Sequence, residues 1–354
     1  MASADPQGQV RTVTGPVRPA ALGPTLLHEH LLIDFRCRHR PGAEEVIAPE
    51  GRLDPADRWR LVRDPAAHES NLVRMELAQA EEELRDLLAA GGRAVVDVTS
   101  EGLGRDLPGL RTLSERTGVM IIGSAGFYVH ASHPDWLHDA DMDRIADHLT
   151  SDLLGAGPDG IACGFIGEIG VDAFLDCEIR VVLAAAVAQA RTGATVAIHT
   201  ASGVLHDQRV PTLELVRRFI DAGGDPSRLV LCHQDGSGDD RWYQDRLLEL
   251  GVVLSYDTFG FETGFRRGAA YAQLPSDTRR IEELRAVWER GHGDRVVLSQ
   301  DVCYRMMTRA WGGWGIAHLL GSLLPRFAAA GLDEDAVETM LIATPRRLLT
   351  MPAR

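Results

Sequence analysis

Lysine is missing from this chain altogether, so all 37 of its basic side chains are arginines. That absence excludes Schiff-base chemistry, a P-loop and a carbamylated-lysine bridge between metals, each of which needs a lysine amine. Cysteine is scarce. Cys37, Cys163, Cys177, Cys232 and Cys303 form an odd set with no C-x-x-C pair, which suggests neither a disulfide framework nor a zinc ribbon and reads as reduced, mostly buried thiols. No apolar run approaches the roughly 20 residues that span a bilayer, and the opening MASADPQGQV lacks a basic segment followed by an apolar one. Positive charge is outnumbered as well: 51 acidic residues leave a formal charge of -14, which repels nucleic-acid phosphates and anionic membranes. The expectation is a cytoplasmic protein that handles a small molecule and binds neither nucleic acid nor membrane.

What the chain has in quantity is short Val- and Ile-rich runs separated by helical stretches, over 354 residues that are 45% hydrophobic. Eight runs stand out: Thr25–Ile33, Ala94–Thr99, Val119–Ser124, Ile161–Gly167, Ala194–His199, Arg228–His233, Gly251–Asp257 and Arg295–Asp301. Val95-Val96-Asp97-Val98 and Leu229-Val230-Leu231-Cys232 are nearly continuous in hydrophobicity, as expected of parallel strands covered on both faces. Helices are predicted over Asn71–Ala90, Asp106–Thr117, Asp176–Thr192 and Thr212–Ala222, each followed by a glycine that stops it. This pattern points to an α/β fold, a single (β/α)8 TIM barrel over residues 1–354. A doubly wound open sheet is the alternative, but no Gly-rich dinucleotide turn follows the first strand. Residues 1–20 read as an N-terminal extension with a small strand or hairpin at Val10–Val17. Residues 36–70 form a long loop after strand one, with the basic cluster Arg36, Arg38 and Arg40, and could be a lid or a solvated insertion.

A (β/α)8 barrel places reactive groups at the C-terminal ends of its strands. Here those ends carry His28, Glu29 and His30, then Glu168, His199, His233 and Asp301. Residues two apart on a strand share a face, so His28 and His30 can enter the barrel together. A strand-end histidine taken alone is usually structural; ligand-type residues ending five separate strands are a constellation. Imidazole and carboxylate donors suit Zn2+, with Mn2+ or Co2+ also acceptable. The natural division gives one ion to His28, His30 and Asp301 and a second to His199 and His233, with Glu168 bridging. Two ions about 3.5–4 Å apart can hold a hydroxide nucleophile near neutral pH. His39, His68, His133, His138, His148 and His292 read as solvated, Asp97 as structural and Asp257 as a loop cap. No G-x-S-x-G elbow is present, and Cys232 faces the opposite way from His233 on a strand, which disfavours serine and cysteine nucleophiles.

These segments together resemble the phosphotriesterase family of the amidohydrolase superfamily, and within it the phosphotriesterase-related, glutamate-bridged branch. The resemblance rests on Gly23-Pro24-Thr25-Leu26-Leu27-His28-Glu29-His30-Leu31, Val96-Asp97-Val98-Thr99 with Gly104-Arg105-Asp106, and Gly126-Phe127-Tyr128. It continues through Gly167-Glu168-Ile169-Gly170, Ile198-His199-Thr200, Tyr256-Asp257-Thr258-Phe259-Gly260, Leu298-Ser299-Gln300-Asp301, Gly312-Gly313-Trp314-Gly315 and Thr344-Pro345-Arg346-Arg347-Leu348-Leu349. It implies the barrel, a binuclear metal site with the ligands given above, and a homodimer. Where other members carry a carboxylated lysine, this chain has Glu168.

The implied activity is hydrolysis of a lactone, ester or N-acyl amide bond of a small anionic substrate, with phosphotriester hydrolysis as the alternative. Asp301 would ligate one ion and accept the attacking water's proton. Tyr128 is expected to bind a substrate oxygen and Arg305 to clamp an anionic group, with His206, Asp235 and Trp311 as further contacts. A reading of another class is a non-catalytic small-molecule-binding barrel, whose expected mark is a missing ligand; none is missing.

Overall fold

A computed structural model describes residues 8–40, 53–267 and 270–352. Eight parallel strands form its centre: β1 Thr25–Glu29, β2 Ala94–Asp97, β3 Met120–Ala125, β4 Phe165–Gly170, β5 Val196–His199, β6 Leu229–Leu231, β7 Val253–Tyr256 and β8 Val296–Leu298. Each pairs with the next in chain order, from Thr25 opposite Ala94 round to Tyr256 opposite Leu298. Between β8 and β1 the seam is made past the strand ends: His28 N–H donates to Ser299 Oγ at 3.0 Å and Asp301 N–H to the His28 carbonyl at 3.3 Å. The result is the (β/α)8 barrel expected from the sequence.

One alternate set of strand residues packs inside the barrel. Leu27, Val96, Ile122, Phe165, Ala197, Val230, Val253 and Val297, one from each strand, form a single buried cluster. Their neighbours Val95, Ile121, Ile166, Leu231, Leu254 and Leu298 belong to the outer core beneath the helices. The period of two along each strand thus serves two apolar surfaces, which explains why the runs are nearly continuous in hydrophobicity rather than alternating. Val10, Leu22, Leu348 and Leu349 extend the inner cluster at the N-terminal end of the barrel. Val10 comes from the hairpin Val10–Thr12/Gly15–Val17, Leu22 from the end of the turn Pro19–Ala21, and Leu348 and Leu349 from the chain's last helix, Thr344–Leu349, so only the other end is free for a site.

The ring of helices comprises α1 Leu77–Ala89, α2 Leu107–Thr117, α3 Met142–Leu153, α4 Asp176–Thr192, α5 Arg209–Asp221, α6 Arg241–Glu249, α7 Asp277–Glu289 and α8 Leu324–Ala329. Gly118 and Gly193 adopt left-handed backbone at φ 77° and 73° just past α2 and α4, where a β-carbon would be strained. Of the four helices not expected from periodicity, α3, α6 and α7 start at side-chain caps: Asp141, Asp240 and Ser276 accept from backbone N–H groups in the first turn. Most boundaries shift from the sequence reading by one to four residues, strand four from Ile161–Gly167 to Phe165–Gly170 among them, and two of the differences are linked. Strand one ends at Glu29, and Ile33–Asp34 leaves the barrel to pair with Val73–Arg74, which shortens α1 to begin at Leu77. Of the long loop after β1, residues 41–52 lie outside the described residues; the rest returns Asp64, Pro65 and Ala66 to the barrel mouth. Among the described residues no helix is long and apolar enough to cross a membrane.

Candidate active site

Six side chains converge at the C-terminal mouth. His28 sits in β1 with His30 just beyond it, Glu168 lies within β4 and His199 ends β5. His233 and Asp301 follow β6 and β8 in left-handed backbone, φ 59° and 48°, a conformation that turns each inward and that non-glycine residues adopt at a cost. Gly167 lets Glu168 approach: a β-carbon at Gly167 would meet the Ala197 carbonyl oxygen at 2.5 Å, and its φ is 123°.

Two groups of donors form within this cluster, {His28, His30, Asp301} and {Glu168, His199, His233}. His30 Nε2 lies 3.4 Å from Glu168 Oε1 and 3.3 Å from Asp301 Oδ1, and His28 Nε2 lies 3.6 Å from that same Asp301 oxygen. On the other side His199 Nδ1 is 3.0 Å from Glu168 Oε2 and His233 Nε2 is 3.7 Å from it. The one carboxylate therefore turns Oε1 to His30 and Oε2 to His199 and His233, with His28 Nε2 3.8 Å from that second oxygen, so it stands between the two groups as a bridge would. The outward nitrogens of His30, His199 and His233 are hydrogen-bonded, and that of His28 faces a carboxylate oxygen. His30 Nδ1 is 2.9 Å from Thr99 Oγ1, and His233 Nδ1 and His28 Nδ1 are 2.8 and 3.3 Å from the two oxygens of Asp257. His199 Nε2 is 3.2 Å from the Tyr128 hydroxyl. Outer partners of this kind fix the tautomer and direct the remaining lone pair inward, as in metal sites. Inside, His28 Nε2 and Glu168 Oε2 are buried with no hydrogen-bond partner, an orphaning that a pair of divalent cations relieves. The residues fit two metal ions.

The electrostatics of the cluster agree. Burial works against the Glu168 carboxylate, but the His199 and His28 rings outweigh it and hold the group well below its usual range. Burial opposes a charged His30, yet Asp301 and Glu168 carry it up to about 10. Burial also lifts the Tyr128 hydroxyl well above 10, so it stays a neutral donor, and pushes the Cys232 thiol up, away from the thiolate. Cys232 lies on the inner face of the barrel close to His28 and Glu168; it is no activated nucleophile.

Above the cluster opens a cavity of about 130 Å³, whose lining includes the apolar or aromatic Phe35, Phe261, Leu274 and Tyr304 and the polar Arg38, Arg40, Tyr128 and Asp172. Tyr128 lies where the sequence placed it, at the ligands, accepting from Arg38 Nη2 at 2.8 Å. The other four expected substrate contacts lie outside that lining. Arg305 turns away along the surface, donating to the Ser70 carbonyl at 2.8 Å and to Glu76 at 2.7 Å, with Trp311 stacked against it. His206 is exposed and 3.2 Å from Asp239. Asp235 is buried in a salt bridge with Arg280 at 2.6 Å and accepts from Thr258, so it braces the mouth from behind. His68 and His133 are buried, contrary to their reading as solvated: His68 Nδ1 accepts from Ser70 N–H, and His133 Nε2 donates to the Tyr128 carbonyl.

Two functional features escaped the sequence reading. Asp257 is no loop cap but the shared anchor of His28 and His233. The cationic groups of the mouth are Arg38 and Arg40, and the signal for them was present in the basic cluster after strand one. Arg38 is committed to Tyr128 and Asp172, whereas the Nη1 of Arg40 is buried and has no partner.

The barrel and its ligand set define a hydrolase of the (β/α)8 class. The phosphotriesterase family profile matches residues 8–349. N-acetyltaurine hydrolase from Danio rerio is 35% identical over 97% of this chain and 98% of its own length, and the Homo sapiens protein of that name is 34% identical with the same coverage. A resiniferatoxin-binding protein from Rhodobacter sphaeroides superposes with a TM-score of 0.91 at 34% identity, covering 97% of this chain and 95% of that one. The chain belongs to the phosphotriesterase family.

Proposed function

We propose that this protein hydrolyses the amide bond of a small N-acyl amine that carries an anionic group, with N-acetyltaurine as the first substrate to test. The observation that carries the reading is Arg40, a cavity-lining guanidinium with a buried, unpartnered Nη1 beside the ligand cluster. Such a donor suits a sulfonate or carboxylate at the far end of the substrate. The name of the full-length relatives points to the same chemistry. His28, His30, Glu168, His199, His233 and Asp301 would hold two divalent ions, zinc first given the nitrogen donors, and these would supply Lewis acidity and an activated water.

The chain's own groups do the rest. Tyr128 accepts from Arg38 and keeps its O–H to donate to the acyl oxygen. Asp301 takes a proton from the attacking water at its carboxylate and returns it to the amide nitrogen as the C–N bond breaks, giving a carboxylic acid and an amine. Apolar Phe35, Phe261 and Leu274 limit the acyl group and exclude bulk water.

The test compares N-acetyltaurine with its neutral analogue N-acetylethylamine. Loss of a charge-assisted hydrogen bond worth about 1.5–3 kcal/mol should raise KM for N-acetyltaurine about 10- to 100-fold in Arg40→Ala while leaving the neutral analogue unchanged. Equal turnover of both by the parent chain, or equal loss of both in the variant, would overturn the reading.

A further inference from the structure

A second set of metal-type donors gathers at the rim, where the segment after β3 meets the start of α4. His130 is exposed, His133 is 8% exposed, and Cys177 is the second residue of α4. Their donor atoms all lie within 4.8 Å of one another, and Cys177 Sγ is 3.4 Å from His130 Nδ1. In a tetrahedral zinc site the bond lengths of about 2.0–2.3 Å put neighbouring donors about 3.3–3.6 Å apart, so one pair is already at ligand spacing and the third needs only a small contraction. The His138 ring, centred 5.0 Å from that of His130, stands beside them.

The independent observation is His133. Its Nε2 donates to the Tyr128 carbonyl at 2.8 Å, which leaves Nδ1 as a bare lone pair, and that Nδ1 is buried without any partner. A buried acceptor left unsatisfied costs about 1–3 kcal/mol. A histidine that donates one N–H to a backbone carbonyl and presents its other nitrogen unpaired is arranged as metal-ligating histidines are. Hydrogen bonds frame the cluster. Glu178, next to Cys177, accepts from His130 N–H at 3.3 Å and from Ala173 and Leu175 N–H at 3.2 Å, tying the two loops together.

We propose that His130, His133 and Cys177 form a separate site for one borderline divalent cation, Zn2+ above all, with the fourth position open to His138 or solvent. Cys177 binds as the thiolate and its proton goes to solvent. The mixed nitrogen and sulfur donors distinguish this site from the nitrogen and oxygen donors of the central cluster. A bound ion would lock the segment after β3, whose Tyr128 reaches His199, to the helix that follows β4.

The experiment strips the full chain with chelator and reloads it with Co2+. Thiolate-to-cobalt charge-transfer absorption should appear in the near ultraviolet and vanish in Cys177→Ser. Zn2+ stoichiometry should fall by one ion per chain in Cys177→Ser and in His130→Gln, both partly exposed positions that leave the core untouched. Absence of the band in the parent chain overturns the proposal. So does its survival in Cys177→Ser, which would place the thiolate at Cys232, or an unchanged zinc count in both variants.

Discussion

Asp257 shows most clearly how one residue organises this site. It is fully buried at the end of β7 and holds two ligand rings from different strands, one on each carboxylate oxygen. Burial penalises its charge, but the rings of His233 and His28 overcompensate and keep the carboxyl below its ordinary range. Asp257→Asn preserves the volume and removes the charge that orients both rings. Metal affinity of the full chain is expected to fall about 10- to 100-fold in a chelator competition, the usual cost of losing an outer partner; unchanged affinity would reduce Asp257 to a packing role. The convergence of the six donor side chains was legible in the sequence because strand ends and the i, i+2 rule depend only on position along the chain. The role of Asp257 was not, because nothing in the sequence says which neighbouring strand a side chain touches. Arg305 misled for the same reason: its segment runs outward to Ser70 and Glu76, whereas Arg40, which precedes residues 41–52, faces the mouth.

At the scale of elements, the barrel depends on a seam with little backbone pairing. Glu29, between the two ligand histidines, is turned away from them and accepts from Ser299 Oγ and Gln300 N–H, both at 2.8 Å, and from Val302 N–H at 3.1 Å. It joins β1 to the segment that delivers Asp301, so the same three residues that begin the donor cluster also close the barrel. In Glu29→Ala one hydroxyl and two backbone N–H groups lose their acceptor, each loss costing about 1–3 kcal/mol. Denaturant unfolding should therefore show at least about 3 kcal/mol less stability, and a change under 1 kcal/mol would mean that the backbone contacts alone hold the seam. Strand order and four of the eight helices followed from periodicity and glycine stops. The shortened first strand did not, because the pairing of Ile33–Asp34 with Val73–Arg74 is a contact between segments about 40 residues apart that competes with local preference.

For the whole molecule, charge and site combine into a dependence on pH. The chain carries a formal -14 at pH 7, and each further proton lost adds to its self-repulsion. His30 in the folded chain is raised from 6.5 to about 10 by Asp301 and Glu168 against the cost of its burial, and Glu29 from 4.5 to about 8 by burial that outweighs its hydrogen bonds. For both groups the folded state binds the proton more tightly than the unfolded state does. Their contribution to stability is therefore complete below the unfolded values and disappears as pH rises through the folded ones. A chain stripped of metal by chelator should lose melting temperature steadily between pH 6.5 and about 10. Metal binds the deprotonated ring, so its protection runs the other way and grows over that window. Melting curves recorded with and without Zn2+ across this range should diverge upward with pH. Parallel curves would mean that the ion does not displace the His30 proton, and a rising curve for the stripped chain would show that the histidine cluster is not protonated when the metal is absent.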